Sequence, residues 1–257
     1  MKIDYEVEGY WDNVAKNIAA RKDLRVIAGE DDPFYRHKRQ LFLRLFEQLD
    51  FAGKTVLEIG SGPGGNLLQA HDKGAKSVTG VDVSQHMVSL ARENLQGRNI
   101  EVIKINGRDL PFADRTFDLV FTSTVLQHNV DETALIALVN EIARVAAAKI
   151  VLFERIEKRI KGNATTTGRP VAYYQQLLAR HGFQLNKTEF LPIQASYYVC
   201  GAIRKLLNSP RHQEGEPFTR ISLGAQKLAM PVTTVLDRMI PSTRDVAMIE
   251  FQRRETQ

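Results

Sequence analysis

An apolar run that breaks into glycines, VLEIGSGPGGNL at residues 56–67, limits this chain more than any other stretch. Glycine after a strand lets the backbone approach a ligand and turns the free N–H groups of the next helix toward it. Such a turn holds the pyrophosphate of a dinucleotide, the phosphates of ATP, or a ligand without phosphate. ATP fails at once, because no Gly-Lys-Ser/Thr follows and Asn66 stands near where the lysine belongs. A dinucleotide and a nucleoside carrying an amino acid remain.

The flanking pattern sets the fold class. Within 36–49, apolar residues at 41, 42, 45, 46 and 49 have helical spacing. Thr55–Ile59 reads as a buried strand, 65–73 as a helix, Ser77–Val81 as a strand, and 84–95 as a helix capped by Ser84. Ile100–Ile105, Phe117–Thr122 and Lys149–Phe153 read as further strands, with a helix at 131–146. Strands alternating with helices imply an α/β chain whose parallel sheet is covered on both faces.

After Phe153 the rhythm changes. Residues 154–170 are polar and rich in turn formers, as in a long loop over the sheet edge; a helix at Val171–Arg180 and a strand at Phe183–Phe190 follow. Residues 195–240 are mostly helical, broken at Pro210, Pro217 and Pro231, and Asp245–Arg253 is a final strand. An insertion of about 45 residues is long for a connector, and long connectors are usually functional or mobile. The expected organisation is a helical cap at 1–50, a binding core at 51–194, an insertion serving as acceptor lid at 195–240, and the last core strand at 241–257.

Two carboxylates narrow the ligand. Asp82, in VTGVDVS, ends the second strand, where a carboxylate accepts from both ribose hydroxyls or caps the next helix. A ribose fits either remaining ligand. Glu58, two residues before the first glycine, is an anion unwelcome beside a pyrophosphate but suited to an ammonium or sulfonium ion. Asp109, after the third strand in NGRDLPF, is placed to accept from the amine of an adenine ring.

In this order and spacing the motifs VLEIGSGPGG, VTGVDVSQHM, NGRDLPFADRTFDLVFTSTVLQH, KIVLFE and YYQQLLARHGFQL resemble the class I S-adenosylmethionine-dependent methyltransferases, of the methyltransferase-11/25-like kind. The resemblance runs from about Val56 to Phe190. It implies a Rossmann-like seven-stranded sheet, mostly parallel with an antiparallel last strand, which DVAMIEFQR fits, and a helical insertion before that strand. It implies S-adenosylmethionine as cofactor and S-adenosylhomocysteine as product. By the same resemblance Gly60, Ser61 and Gly62 line the methionine part, beside Glu58, and Asp82 holds the ribose. Val83 and Met87 flank the adenine, Arg108, Asp109 and Leu110 surround it, and Thr122 lies near the donor.

Methyl transfer from a sulfonium is an in-line displacement, so alignment of acceptor and methyl is the protein's main task. A base is needed where the acceptor is a hydroxyl or an ammonium. His128, in TSTVLQHNVD, is the candidate base, since histidine ordinarily titrates near neutrality; Gln127 stands beside it. Tyr5, Tyr10 and Trp11 form an aromatic cluster that would close over the cofactor, and Tyr35 and Lys38 could meet its carboxylate. The six histidines show no close pair at ligand spacing, so no metal is expected.

The acceptor is less constrained. The position of the Asn/Asp-Pro-Pro-aromatic tetrad of amino-methylating DNA enzymes reads TSTV here, which disfavours that class; the basic C-terminal half keeps RNA methylation as an alternative, although no basic stacking platform is evident and nucleic acid is not the expected partner. Residues 155–257 carry 16 Lys+Arg against 8 Asp+Glu. With Tyr197, Tyr198, Arg204, Lys205, Arg211 and Arg220, the lid favours an anionic or sugar-linked small molecule or glycan. O-methylation comes first and N-methylation second; a nicotinamide oxidoreductase would leave Glu58 and Asp109 without roles. One cysteine, no signal-peptide core and no apolar run of membrane-spanning length make cytoplasmic the expected location.

Overall fold

Side-chain alternation along the strands splits the core into two layers, one on each face of a single sheet. The computed structural model describes residues 6–21 and 29–254. Its strands are β1 (Thr55–Ile59), β2 (Ser77–Asp82), β3 (Ile100–Lys104), β4 (Phe117–Ser123), β5 (Ala146–Ile156), a hairpin of β6 (Lys161–Gly162) and β7 (Thr167–Gly168), β8 (Phe183–Phe190) and β9 (Asp245–Arg253). The helices are α1 (Val7–Ala19), α2 (Pro33–Phe46), α3 (Gly65–Asp72), α4 (Gln85–Asn94), α5 (Glu132–Val145), α6 (Val171–Ala179), α7 (Gln194–Leu207) and α8 (Arg220–Met239).

Seven strands form one sheet in the order β3-β2-β1-β4-β5-β9-β8, with β9 antiparallel to both of its neighbours. The strand order therefore reverses between β1 and β4. In an open α/β sheet the crevice at such a reversal, beyond the carboxyl ends of the strands, is where ligands bind.

Leu57, Ile59, Val120, Ile150 and Leu152 pack toward α5 and α6, while Val56, Leu119, Phe121, Val151 and Phe153 pack toward α2, α3 and α7. The period of two that buries Val56 on the α2–α3 side puts Glu58 on that side as well. Several boundaries have local causes. Helix α2 begins at Pro33 because Asp32 accepts from the Tyr35 N–H at 2.8 Å, and α4 is capped by Ser84, which accepts from the Met87 N–H at 3.0 Å. Two outcomes differ from expectation. Strand β5 runs to Ile156, and the polar 154–170 segment carries the β6–β7 hairpin instead of a plain loop. Helix α1 lies on α4, tied there by the Ser84 hydroxyl donating to Asp12 at 2.6 Å and by a Lys104–Glu8 ion pair. No helix among the described residues is long and apolar enough to cross a membrane.

Candidate active site

Two adjoining cavities occupy the crevice. One, of about 310 Å³, is lined by Asp82, Val83, Met87, Asn106, Gly107 and Arg108. The other, of about 370 Å³, is lined by Glu58, Ser61, Asn66, Lys38, Arg39 and Glu214 among others. Trp11, Gly60, Gly62, Ser123, Thr124 and His128 line both, so the two are halves of one cleft.

The glycine turn joins them. Gly60, Gly62 and Gly64 have positive φ of 68°, 51° and 92°. A Cβ on Gly60 would lie 2.3 Å from a Val125 methyl, so both conformation and space demand glycine there. The Gly62 N–H donates to Asp82 Oδ2 and the Ser84 N–H to Oδ1, both at 2.9 Å, which fixes the Asp82 carboxylate at the floor of the smaller cavity. Burial pushes its pKa up to about 6, against the pull of those backbone donors.

Glu58 is 1% exposed, and burial pushes it up to about 8, with a small contribution from Asp82 in the same direction. Opposing this, Asn66 donates to Glu58 Oε1 at 2.7 Å and itself accepts from Arg39 Nη1 at 2.8 Å. Glu58 Oε2 has no partner, nor has the Ser61 hydroxyl, and both residues line the larger cavity. An unpaired buried carboxylate oxygen is costly to maintain, and a cationic group in the cavity would offset that cost. The residues present thus fit the amino-acid end of S-adenosylmethionine.

His128 sits at the seam of the cleft on a single 3-10 turn, Leu126–His128. Glu154 builds that turn: its buried carboxylate accepts from Thr122 Oγ1 at 2.7 Å and from the N–H groups of Val125 and Gln127 at 3.0 and 3.2 Å. Arg169, 1% exposed, holds the other side by donating to the carbonyls of Leu126 and Asn129 at 3.2 and 2.9 Å. His128 Nδ1 donates to the Thr165 carbonyl at 3.2 Å, which leaves the Nε2 lone pair to accept from Gln127 Nε2 at 3.0 Å. The Trp11 ring meets the imidazole edge-on, with centroids 4.8 Å apart. Burial pushes the His128 pKa down to about 4, with Arg155 adding in the same direction. The expectation of a histidine titrating near neutrality is corrected: this imidazole is neutral at pH 7.

Residues 56–149 match the family model described as a methyltransferase domain. The chain has the class I methyltransferase fold. The seven-stranded order with an antiparallel β9 is the sheet of that class. The chain is 33% identical over 144 residues to an O-methyltransferase of Aspergillus nomiae, covering 53% of this chain and 56% of that protein. It is 32% identical over 136 residues to a phosphatidylethanolamine N-methyltransferase of Cereibacter sphaeroides, covering 50% and 64%. The chain thus matches less than two thirds of the length of either relative. The crystal structure of magnesium protoporphyrin IX methyltransferase from Synechocystis with bound S-adenosylmethionine has a TM-score of 0.61 at 17% identity, covering 96% of this chain and 95% of that one.

Within the methyltransferase domain, the cleft gathers most of the residues singled out from sequence: Glu58, Gly60, Ser61, Gly62, Asp82, Val83, Met87, Arg108 and His128. Three fall outside it. Thr122 points under the 126–128 turn to Glu154, because it shares the strand face of Val120; its neighbour Ser123 lines the cleft instead. Asp109 is exposed and accepts from Asn106 Nδ2 at 2.7 Å, so Asn106 and Gly107 form the cavity wall there. Leu110 is core, its N–H donating to Glu141 at 2.9 Å.

The cap and lid also differ from expectation. Trp11 and Tyr35 line the cleft, while Lys38, which lines it too, is bridged to Asp245 at 2.6 Å; Tyr5 lies outside the described residues. Of the lid residues named from sequence, only Tyr197 lines the larger cavity, together with Glu214 from the same insertion. Lys205, Arg211 and Arg220 are exposed, and Arg204 is turned onto Phe34 and Tyr35, 3.4 Å from Asp32. The lid cations that favoured an anionic acceptor thus do not line the larger cavity, where Arg155 is the one cation of the basic segment among the described residues. Asn66, Arg39, Glu154 and Arg169 are the residues that sequence reasoning missed. The one signal for Asn66 was its place in the first turn after the glycines; the others come from distant segments.

Proposed function

We propose that the chain transfers the methyl group of S-adenosylmethionine to a small-molecule acceptor, by O-methylation in the first instance. The observation that carries this reading is the unpaired Glu58 Oε2, buried beside a glycine turn and continuous with the Asp82 cavity. Burial holds this carboxyl protonated up to about 8, and an ammonium beside it favours its ionised form where a pyrophosphate would not, so the cleft favours the sulfonium cofactor over a nicotinamide dinucleotide.

When bound, the cofactor supplies an activated methyl on sulfur. Asp82 accepts from the ribose hydroxyls, Val83 and Met87 pack against the base, and Glu58 offsets the ammonium charge. Trp11, lining both cavities, shields the junction from water. His128 presents Nε2 to the acceptor hydroxyl once Gln127 Nε2, which donates to it at 3.0 Å, turns away. Its weak basicity suffices, because an oxygen that has just gained a methyl while keeping its proton is an oxonium, acid enough to protonate a buried imidazole.

N-methylation is the second reading, and one observation favours it. Glu30 and Glu214 line the larger cavity, with Glu214 pushed up to about 7 by burial while its carboxylate accepts from the Tyr10 hydroxyl at 2.9 Å. Carboxylates at that end suit an amine.

An acceptor screen with methyl-labelled cofactor, setting sugars, phenols and fatty acids against amines, separates the two readings. Calorimetry with S-adenosylhomocysteine and with NADH tests the cofactor: binding of NADH alone overturns the proposal. Residues 195–240 are read as the acceptor lid on the strength of Tyr197 and Glu214.

A further inference from the structure

Helix α8 carries its polar side inward and its apolar side outward. The buried positions are Ser222, Gln226, Thr233 and Asp237, whereas Ile221, Leu228, Val232, Val235 and Met239 are exposed, Leu228 by 83% and Met239 by 75%. These five fall along one side of the helix at intervals of three, four and seven residues. Helix α7, packed beside α8, exposes Tyr198, Val199 and Leu206.

The rotation of α8 is fixed from within. Asp237 accepts from the Ala195 and Ser196 N–H groups at 2.5 and 3.2 Å, and from the Ser196 hydroxyl, capping the start of α7. Ser222 accepts from Asn208 at 2.9 Å. Turning the apolar side inward would break these bonds and bury their donors unpaired. An exposed apolar patch of this extent marks an interaction site.

Charge selects the occupant. Arg220, Lys227 and Arg238 each precede an apolar residue of the stripe and are exposed, as are Lys205 and Arg211. The acids of the same region are Glu214, which lines the cleft, buried Asp237, and Glu216, half-buried. A second copy docked through the same face would set one cationic rim against another, since a two-fold interface pairs a patch with itself. An anionic lipid surface satisfies both features, taking the apolar stripe into its headgroup boundary and the cations onto its charge.

We propose that the α7–α8 face docks this chain onto an anionic bilayer surface, with α8 lying in the plane of the interface. The inference stands apart from the cofactor and acceptor readings. The test is co-sedimentation of the full chain with vesicles of phosphatidylcholine alone and of phosphatidylcholine mixed with phosphatidylglycerol. Binding to the mixed vesicles should be about tenfold tighter or more, and the difference should shrink in high salt. Leu228→Glu with Val232→Glu should abolish binding, and Arg220→Gln with Lys227→Gln should remove the preference for anionic lipid, each variant keeping the wild-type circular dichroism. The charge pair keeps the test decisive should the apolar pair unfold. Equal or absent binding to the two vesicles overturns the proposal. So does a stable dimer in light scattering that the glutamate pair converts to monomer without any vesicle binding, which would make the face a subunit interface.

Discussion

Asn66 donates to Glu58 Oε1 at 2.7 Å and leaves Oε2 of the same buried carboxylate unpartnered. Arg39 of α2 bonds to Asn66 and not to the carboxylate. The site therefore holds one acceptor in place and keeps a second free. Burial rather than Asn66 dominates its ionisation, which sits at about 8.

That shift has a sign. Folded Glu58 keeps a proton up to about 8, whereas the unfolded chain releases it near its ordinary 4.5. The folded state binds the extra proton in that window, so this contribution to stability is full at low pH and is lost as pH rises from 4.5 to about 8. Glu58→Gln should melt higher than wild type at about pH 9 and close to it at about pH 5, where each kcal/mol shifts Tm by roughly 2–4 °C in a chain this size. The same variant should weaken S-adenosylhomocysteine binding. An equal melting difference at both pH values would remove the ionisation argument.

Asp82→Ala should weaken S-adenosylhomocysteine binding roughly tenfold or more, since hydrogen bonds to a charged group are worth about 1.5–3 kcal/mol. The substitution also frees the Gly62 and Ser84 N–H groups, so the glycine turn should loosen and Tm fall. Calorimetry reads the first effect and thermal melting the second. Unchanged affinity would refute the ribose role.

His128→Ala should spare cofactor affinity and lower turnover with a hydroxyl acceptor. Because burial holds the imidazole at about 4, the wild-type rate should show no His128 inflection near its ordinary 6.5 and should decline only toward about 4. The unfolded chain binds the extra proton between those values, so stability falls as pH drops from 6.5 to about 4. A rate inflection near 6.5 that vanishes in the variant would restore the near-neutral histidine.

Gly60→Ala should destabilise the fold by about 1–3 kcal/mol, from a positive φ and a methyl driven into Val125. Val125→Ala in the same chain should recover the steric part and not the backbone part. A double-mutant cycle in denaturant measures the split, and full additivity would show that Val125 is not the obstacle.

Much of the architecture was legible because its signals are local. The alternation that places Val56 and Leu57 on opposite faces, the glycines after Ile59 and the Ser84 cap all lie within a few residues of what they determine. The adenine-side wall was less legible. Spacing points Asp109 at the cleft, but Asn106 closes a turn that draws that carboxylate away, a competition between short polar side chains that spacing does not resolve. Thr122 was misplaced by one residue of strand period, which is enough to send a side chain to the other face.

The basic half of the sequence was legible as composition and not as direction. Its lid cations face outward with the apolar stripe of α8, because Asp237 and Ser222 are pinned to α7 and Asn208. What the sequence determined by itself was the sheet, the glycine turn and the carboxylates that end its strands, since period and backbone freedom are properties of neighbouring residues. What only the tertiary structure decided was the state of those groups: a free oxygen on Glu58, a neutral His128 under Thr165 and Trp11, and cations of residues 195–240 that do not line the cavity. Desolvation and hydrogen-bond partners depend on which distant segments pack together, and no local pattern carries that.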